Sequence, residues 1–156
     1  MAEVTLGSRF ASAGESPGLA LWHVTNRWQS VMRTALAPHE LTHVQYVLLA
    51  TLVWHQAHQD PDARLTQAEL AALAATDVMM TSQVIRALEA KGLVERTQHP
   101  HDGRARILRP TLVGIAVAQR ATVNVERADA EYFAALANPA AFQSELARLA
   151  AGRGEP

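Results

Sequence analysis

Residues 65–109, LTQAELAALAATDVMMTSQVIRALEAKGLVERTQHPHDGRARILR, constrain the fold of this chain more than any other stretch. Thr66-Gln67-Ala68-Glu69 has the form of a capping box, in which each end side chain satisfies the other's free backbone N–H. The helix it opens is predicted to be short, about two turns, with Leu70 and Leu73 on one face. Asp77 is placed to cap a second helix running to Lys91, where Gly92 supplies the left-handed residue that ends it. Within that helix Thr81, Val84, Ile85 and Leu88 recur at helical spacing and are expected inside. Met79, Met80, Ser82, Gln83 and Arg86 are left on the outer face. The period then changes, and Leu93-Val94-Glu95-Arg96 and Ile107-Leu108-Arg109 read as two short strands. Between them His99-Pro100-His101-Asp102-Gly103-Arg104 holds a Pro and an Asp-Gly, the marks of a hairpin tip. Two helices at a sharp turn followed by a basic hairpin make a winged helix-turn-helix, a mainly α fold with a two-stranded β-wing.

The same residues carry a family resemblance. Leu41-Thr42…Gln45, Leu65-Thr66-Gln67…Glu69-Leu70-Ala71, Met80-Thr81-Ser82-Gln83-Val84, Leu88-Glu89-Ala90-Lys91-Gly92-Leu93-Val94-Glu95-Arg96 and Asp102-Gly103-Arg104-Ala105 resemble the MarR (multiple-antibiotic-resistance regulator) family of bacterial transcription factors. The likeness runs from about Trp22 to Leu136. Pro110 departs from it, standing where the family usually has Leu before the Thr-x-x-Gly of its long fifth helix, although Thr111 and Gly114 fit. A proline lacks a backbone donor, so a shortened second wing strand is expected. The resemblance implies a homodimer held by interlocked terminal helices, and phenolic or carboxylate effectors bound between those helices and the winged helix.

The flanks agree with one such domain at 16–156, preceded by a loose polar arm at 1–15. Ser16-Pro17 is a helix start, and Leu21, Val24, Trp28, Val31 and Ala35 repeat at spacings of three and four until Pro38. Thr42…Gln45 forms a second capping box, and residues 44–54 are apolar nearly all round, as a buried central helix would be. That helix dissolves into the polar loop His58-Gln59-Asp60-Pro61-Asp62. After the wing, Ala118, Ala121, Val125, Ala128 and Tyr132 form a narrow seam along a helix predicted over 112–136. Asn138-Pro139 opens a last helix with Phe142, Leu146 and Leu149 inward and Gly152 at its end. The winged helix-turn-helix core thus spans 41–110. The stripes at 16–37 and 112–151 exceed what it can cover, which points to dimerisation helices.

Composition narrows the function. No apolar run approaches the length of a membrane span, and the first residues lack the apolar core of a signal peptide, so a cytoplasmic protein with no membrane partner is expected. The absence of cysteine excludes disulfides and the thiol-based peroxide sensing found in some members of the family. A formal net charge of −1 says little about nucleic acid, because Arg86, Lys91, Arg96, Arg104, Arg106 and Arg109 are concentrated on the candidate DNA-facing elements. There is no Gly-rich phosphate loop, Gly-x-Ser-x-Gly or inward carboxylate pair, so the chain is not read as an enzyme, and no cofactor is expected.

The expected DNA contacts are Thr66, Gln67, Met79, Met80, Ser82, Gln83, Arg86, Arg104 and Arg106. Gln83 suits a bidentate contact with adenine, and Arg86 suits guanine or phosphate. At the wing tip the Asp102 carboxylate could orient Arg104 toward a minor groove. The partners are then duplex DNA with a pseudo-palindromic operator, a second copy of the chain, and a small aromatic or anionic effector. The effector site is expected at Trp22, His23, Asn26, His43 and Tyr46, an apolar lining with a few polar groups. Two other readings compete. A winged helix can serve as a protein-docking module. Zinc could be shared by His39 and His43, four apart, or by His55 and His58, three apart, although no cysteine helps and hydrogen-bonded surface histidines are the default.

Overall fold

A computed structural model describes residues 7–58, 65–99 and 101–152. Six helices and a small sheet follow in the order α1 (Pro17–Leu36), α2 (His43–His58), β1 (Leu65–Thr66), α3 (Gln67–Leu73), α4 (Val78–Ala90), β2 (Val94–Gln98), β3 (Arg106–Pro110), α5 (Leu112–Phe133) and α6 (Pro139–Ala150). Short 3₁₀ turns lie at Ala13–Glu15 and Ala37–His39. The polar loop after His58 and the Pro100 of the hairpin tip lie outside the described residues. No described helix is long and apolar enough to cross a membrane.

Each helix start is made by the side chain nearest to it. The Ser16 hydroxyl accepts from the Leu19 N–H, Thr66 and Glu69 close both halves of their box, and the Asp77 carboxylate accepts from the N–H groups of Met79 and Met80. Thr42 and Gln45 exchange backbone-to-side-chain bonds in the same reciprocal manner. Thr111 accepts from Gly114, and Asn138 from Ala141. Gly92, at φ 70°, takes the left-handed position after α4 that a side chain would strain.

The core gathers Met32 and Leu36 of α1, Leu48, Leu49 and Leu52 of α2, Leu70, Ile85 and Leu88 of the helix pair, and Ala118, Ala121 and Val125 of α5. The small residues of α5 let α1 and α2 approach it closely, so the seam is filled within the chain. Thr81 is the buried polar side chain of this core. Its hydroxyl donates to the Asp77 carbonyl at 2.7 Å and shares a 2.8 Å bond with Thr76, so no donor is stranded.

The β2–β3 hairpin forms the expected two-stranded wing, and β1, which the sequence did not indicate, adds a third antiparallel strand to its sheet, pairing Leu65 with Leu108 and Thr66 with Ile107, in the order β1-β3-β2. Two expectations need correction. Pro110 does not shorten its strand, since β3 includes it opposite Val94. The Thr111 N–H bonds to the Leu93 carbonyl, so hydrogen-bonded pairs fall at 93/111 and then at every second residue. Pro110 occupies a non-hydrogen-bonded position toward β2, where a missing N–H removes nothing from that ladder. Leu73 is 59% exposed, and the buried face of α3 runs through Leu70 and Ala71 instead, with Ala74 partly covered just beyond.

The terminal helices leave apolar surface open in the single chain. Leu21 is 55% and Val24 43% exposed on α1, while Trp28 and Val31 further along are partly buried. No residue of α6 is buried, Leu149 is 73% exposed, and the Phe142 ring approaches α5, 5.8 Å from Phe133.

Candidate nucleic-acid interface

On α4, Met79, Gln83 and Arg86 stand four and seven residues apart and so share one outward stripe. Gln83 and Arg86 are exposed, and Met79 is 75% exposed. Ser82 is half-buried beside this stripe, and Met80 is exposed to its flank. The opposite face is committed to the core through Thr81, Ile85 and Leu88.

The wing approaches the start of the helix pair. A cleft of about 410 Å³ is lined by Thr66, Gln67, Val78, Asp102, Arg104 and Arg106, which brings four of the expected DNA contacts to one corner. The Thr66 hydroxyl donates to the Glu69 carboxylate at 2.7 Å, so its proton is already committed. The backbone N–H of Thr66, with that hydroxyl, holds the Glu69 carboxyl below the usual carboxylate range. Gln67 carries the amide at this corner. Val78 belongs to it too, although its apolar character gave no sign of this in the sequence.

At the tip, the Asp102 carboxylate accepts from the backbone N–H of Arg104 at 2.9 Å, and the Ala105 N–H bonds to the Asp102 carbonyl. Asp102 therefore shapes the turn rather than steering the guanidinium. His99 Nδ1 accepts from the N–H groups of His101 and Asp102, tightening the same turn. Arg104 and Arg106 form no ion pair among the described residues, whereas Arg96 is bound to Glu89. With two arginines against the single Asp102 carboxylate, the wing side of this cleft is net positive beside the start of α4. Lys91, at the other end of α4, bonds to the Glu40 carbonyl and to Gln45, which ties that helix to the start of α2.

The expected effector residues are dispersed in the single chain. Tyr46 lines a cleft of about 590 Å³ between α2 and α5 with Trp54, His58 and Ala118, its hydroxyl 3.2 Å from that of Thr122. His43 lines a second groove with Arg33 and Thr76, and its ring meets the edge of Trp28, 4.9 Å between centroids. Burial there lowers the His43 pKa, partly opposed by Asp129, which accepts from the Trp28 indole at 2.7 Å. Trp22, 65% exposed, lies six residues from Trp28, about 9 Å along α1. His23 and Asn26 are exposed beside it, and the Asn26 amide donates to the Trp22 carbonyl. Three of the four histidines considered for zinc have separate partners. His39 Nε2 meets Asn124 at 2.9 Å, His43 faces Trp28, and His58 stacks on Trp54.

Three helices around a short turn, a β-wing in a three-stranded sheet and an outward polar stripe define a winged-helix DNA-binding protein. The comparisons agree. The MarR family model matches residues 41–105. YdcH of Bacillus subtilis (strain 168), an uncharacterized HTH-type transcriptional regulator, is 39% identical over 142 residues, covering 91% of this chain and 95% of its own. CouR, a transcriptional repressor solved on a 23-mer DNA duplex, superposes with a TM-score of 0.74 at 27% identity, over 96% of this chain and 98% of that one. PcaV of Streptomyces coelicolor, solved with its natural ligand, gives 0.73 at 25% identity, over 94% and 100%. The chain belongs to the MarR family, and it is a transcription regulator with a DNA-binding winged-helix fold.

Proposed function

We propose that the chain acts as a homodimeric repressor, binding a pseudo-palindromic duplex operator and released by a small aromatic anion. The observation that carries this reading is that α4, whose Met79–Gln83–Arg86 stripe faces outward, meets Arg104 and Arg106 at one cleft through its first residue, Val78, the two arginines having no ion pair among the described residues. In this reading α4 enters the major groove, with Met80 and Ser82 at its flanks, and Arg104 takes the adjoining minor groove. Thr66, Gln67 and Arg106 face the backbone between them. A two-fold dimer presents two copies of α4, so half-site centres fall about 10 bp apart. CouR, seen on duplex DNA, supports the mode of binding.

Arg104→Ala should weaken operator and random duplex alike. Its log–log salt dependence should be shallower by about one unit for each phosphate that the arginine no longer neutralises. Full affinity with an unchanged slope would remove the wing from the interface.

The effector half of the proposal depends on the dimer. The exposed start of α1, with Trp22, His23 and Asn26, meets Tyr46 if α1 of a second copy lies across the α2–α5 cleft, while His43 stays one turn away in the groove beside Trp28. PcaV, bound to its natural ligand, supports ligand control on this fold. A ligand wedged there shifts the spacing of the two α4 helices, so ligand and DNA weaken each other by the same factor. Salicylate, as a probe, should quench tryptophan fluorescence and release DNA over one concentration range. Trp22→Phe should lose most of the quench, and Trp22→Ala should need more ligand for release. Quenching that persists unchanged without Trp22 would place the pocket elsewhere.

A further inference from the structure

Met79 is the most exposed large apolar side chain of α4, at 75%, and it lies at the head of the stripe continued by Gln83 and Arg86. It is not spare core. The inward face is complete with Thr81, Ile85 and Leu88 buried and Val84 packed against them. Its backbone is also held in place, because the Asp77 carboxylate accepts from the N–H groups of Met79 and Met80 at 2.9 Å each.

That carboxylate bears on what Met79 can meet. An aspartate at the start of α4 offsets the positive end of the helix dipole and repels phosphate, so the first turn is poorly suited to the sugar–phosphate backbone. A base edge in the major groove carries donors, acceptors and a single apolar group, the C5-methyl of thymine. An unbranched, polarizable thioether conforms readily to such a group. The neighbouring apolar residues point elsewhere: Val78 lines the cleft toward the wing, and Met80 is turned about 100° around the helix from Met79.

We propose that Met79 reads a thymine methyl group, so that each half-site carries a thymine within one or two base pairs of the position contacted by Gln83. The spacing follows from about 5.4 Å per helical turn between the two side chains, against about 3.4 Å per base pair. The proposal rests on α4 entering the major groove, and it adds a specificity determinant that works without a hydrogen bond.

The test uses the duplex that the full chain selects from a random pool. Thymines are replaced by deoxyuridine one position at a time, symmetrically in both half-sites, which deletes the methyl and keeps every hydrogen-bonding group. One position should cost about fourfold in affinity per half-site, roughly 15-fold for the symmetric operator, as burial of a single methyl implies. Met79→Ala should bind the thymine and uracil duplexes equally, while Met79→Leu and Met80→Ala should keep the preference. Met79 is solvent-exposed, so these changes leave the core untouched. The inference is overturned if no thymine matters, or if the uracil penalty survives in Met79→Ala. A chain that selects no sequence at all would overturn the major-groove reading with it. Sequence selection without methyl dependence would sink the Met79 assignment alone.

Discussion

Gly114→Ala should lose at least about 3 kcal/mol of stability, read as a fall of roughly 10 °C in Tm at fixed protein concentration. A Cβ at Gly114 would overlap the carbonyl oxygen of Leu93 and lie 2.9 Å from its carbon and 3.2 Å from its Cα. All three are backbone atoms at the start of the wing, so no side chain can swing aside. The same carbonyl accepts from the Thr111 N–H, and the Thr111 hydroxyl accepts from Gly114 while donating to the Gly92 carbonyl. Relief of the clash would therefore push β2 away from α5 and disturb the wing as well as the core. Gly18→Ala is the control, because nothing lies within 4 Å of its added carbon and alanine favours the helix. If Gly114→Ala and Gly18→Ala had equal melting temperatures, the close approach of wing and α5 would be refuted.

The double change Leu21→Glu with Val24→Glu should leave the helix content intact and separate the proposed homodimer. Both side chains are largely exposed in the single chain, and the Tyr132 hydroxyl bonds to the Val24 carbonyl, which the substitution does not alter. Carboxylates placed on a face that packs against a second copy would carry an uncompensated desolvation cost. Sedimentation should then report a monomer. Operator affinity should drop at least about a thousandfold, toward the level of non-specific binding, because only one α4 engages at a time. A variant that remained dimeric and bound normally would show that the exposed stripe of α1 is not the subunit interface.

How much of this was legible in the residues depended on the range of the interaction concerned. The caps at Ser16, Thr42, Thr66, Asp77, Thr111 and Asn138 act on N–H groups within three residues, so sequence spacing located five of these helix starts, and the family resemblance at Thr111 located the other. The outward stripe of α4 was equally plain, because 3.6-residue periodicity separates Thr81, Ile85 and Leu88 from Met79, Gln83 and Arg86. A two-residue strand has no periodicity to detect, and β1 exists only because β3 supplies its partners more than forty residues away. The register of β2 on β3 made Pro110 harmless, and register is set by pairing rather than composition. Asp102 next to a turn has two partners available, a guanidinium and a backbone N–H, and the folded tip selected the backbone. Trp22 and Tyr46 looked like one lining because they share an aromatic chemistry, yet α1 and α2 hold them apart in the single chain. By itself, then, the sequence determined the helices, the wing hairpin, the caps and the face that α4 turns outward, all of which are decided within a few residues. Only the tertiary structure decided the third strand, the fit of Gly114 under Leu93 and the corner where wing and helix pair meet, because each depends on backbone atoms brought together from distant parts of the chain.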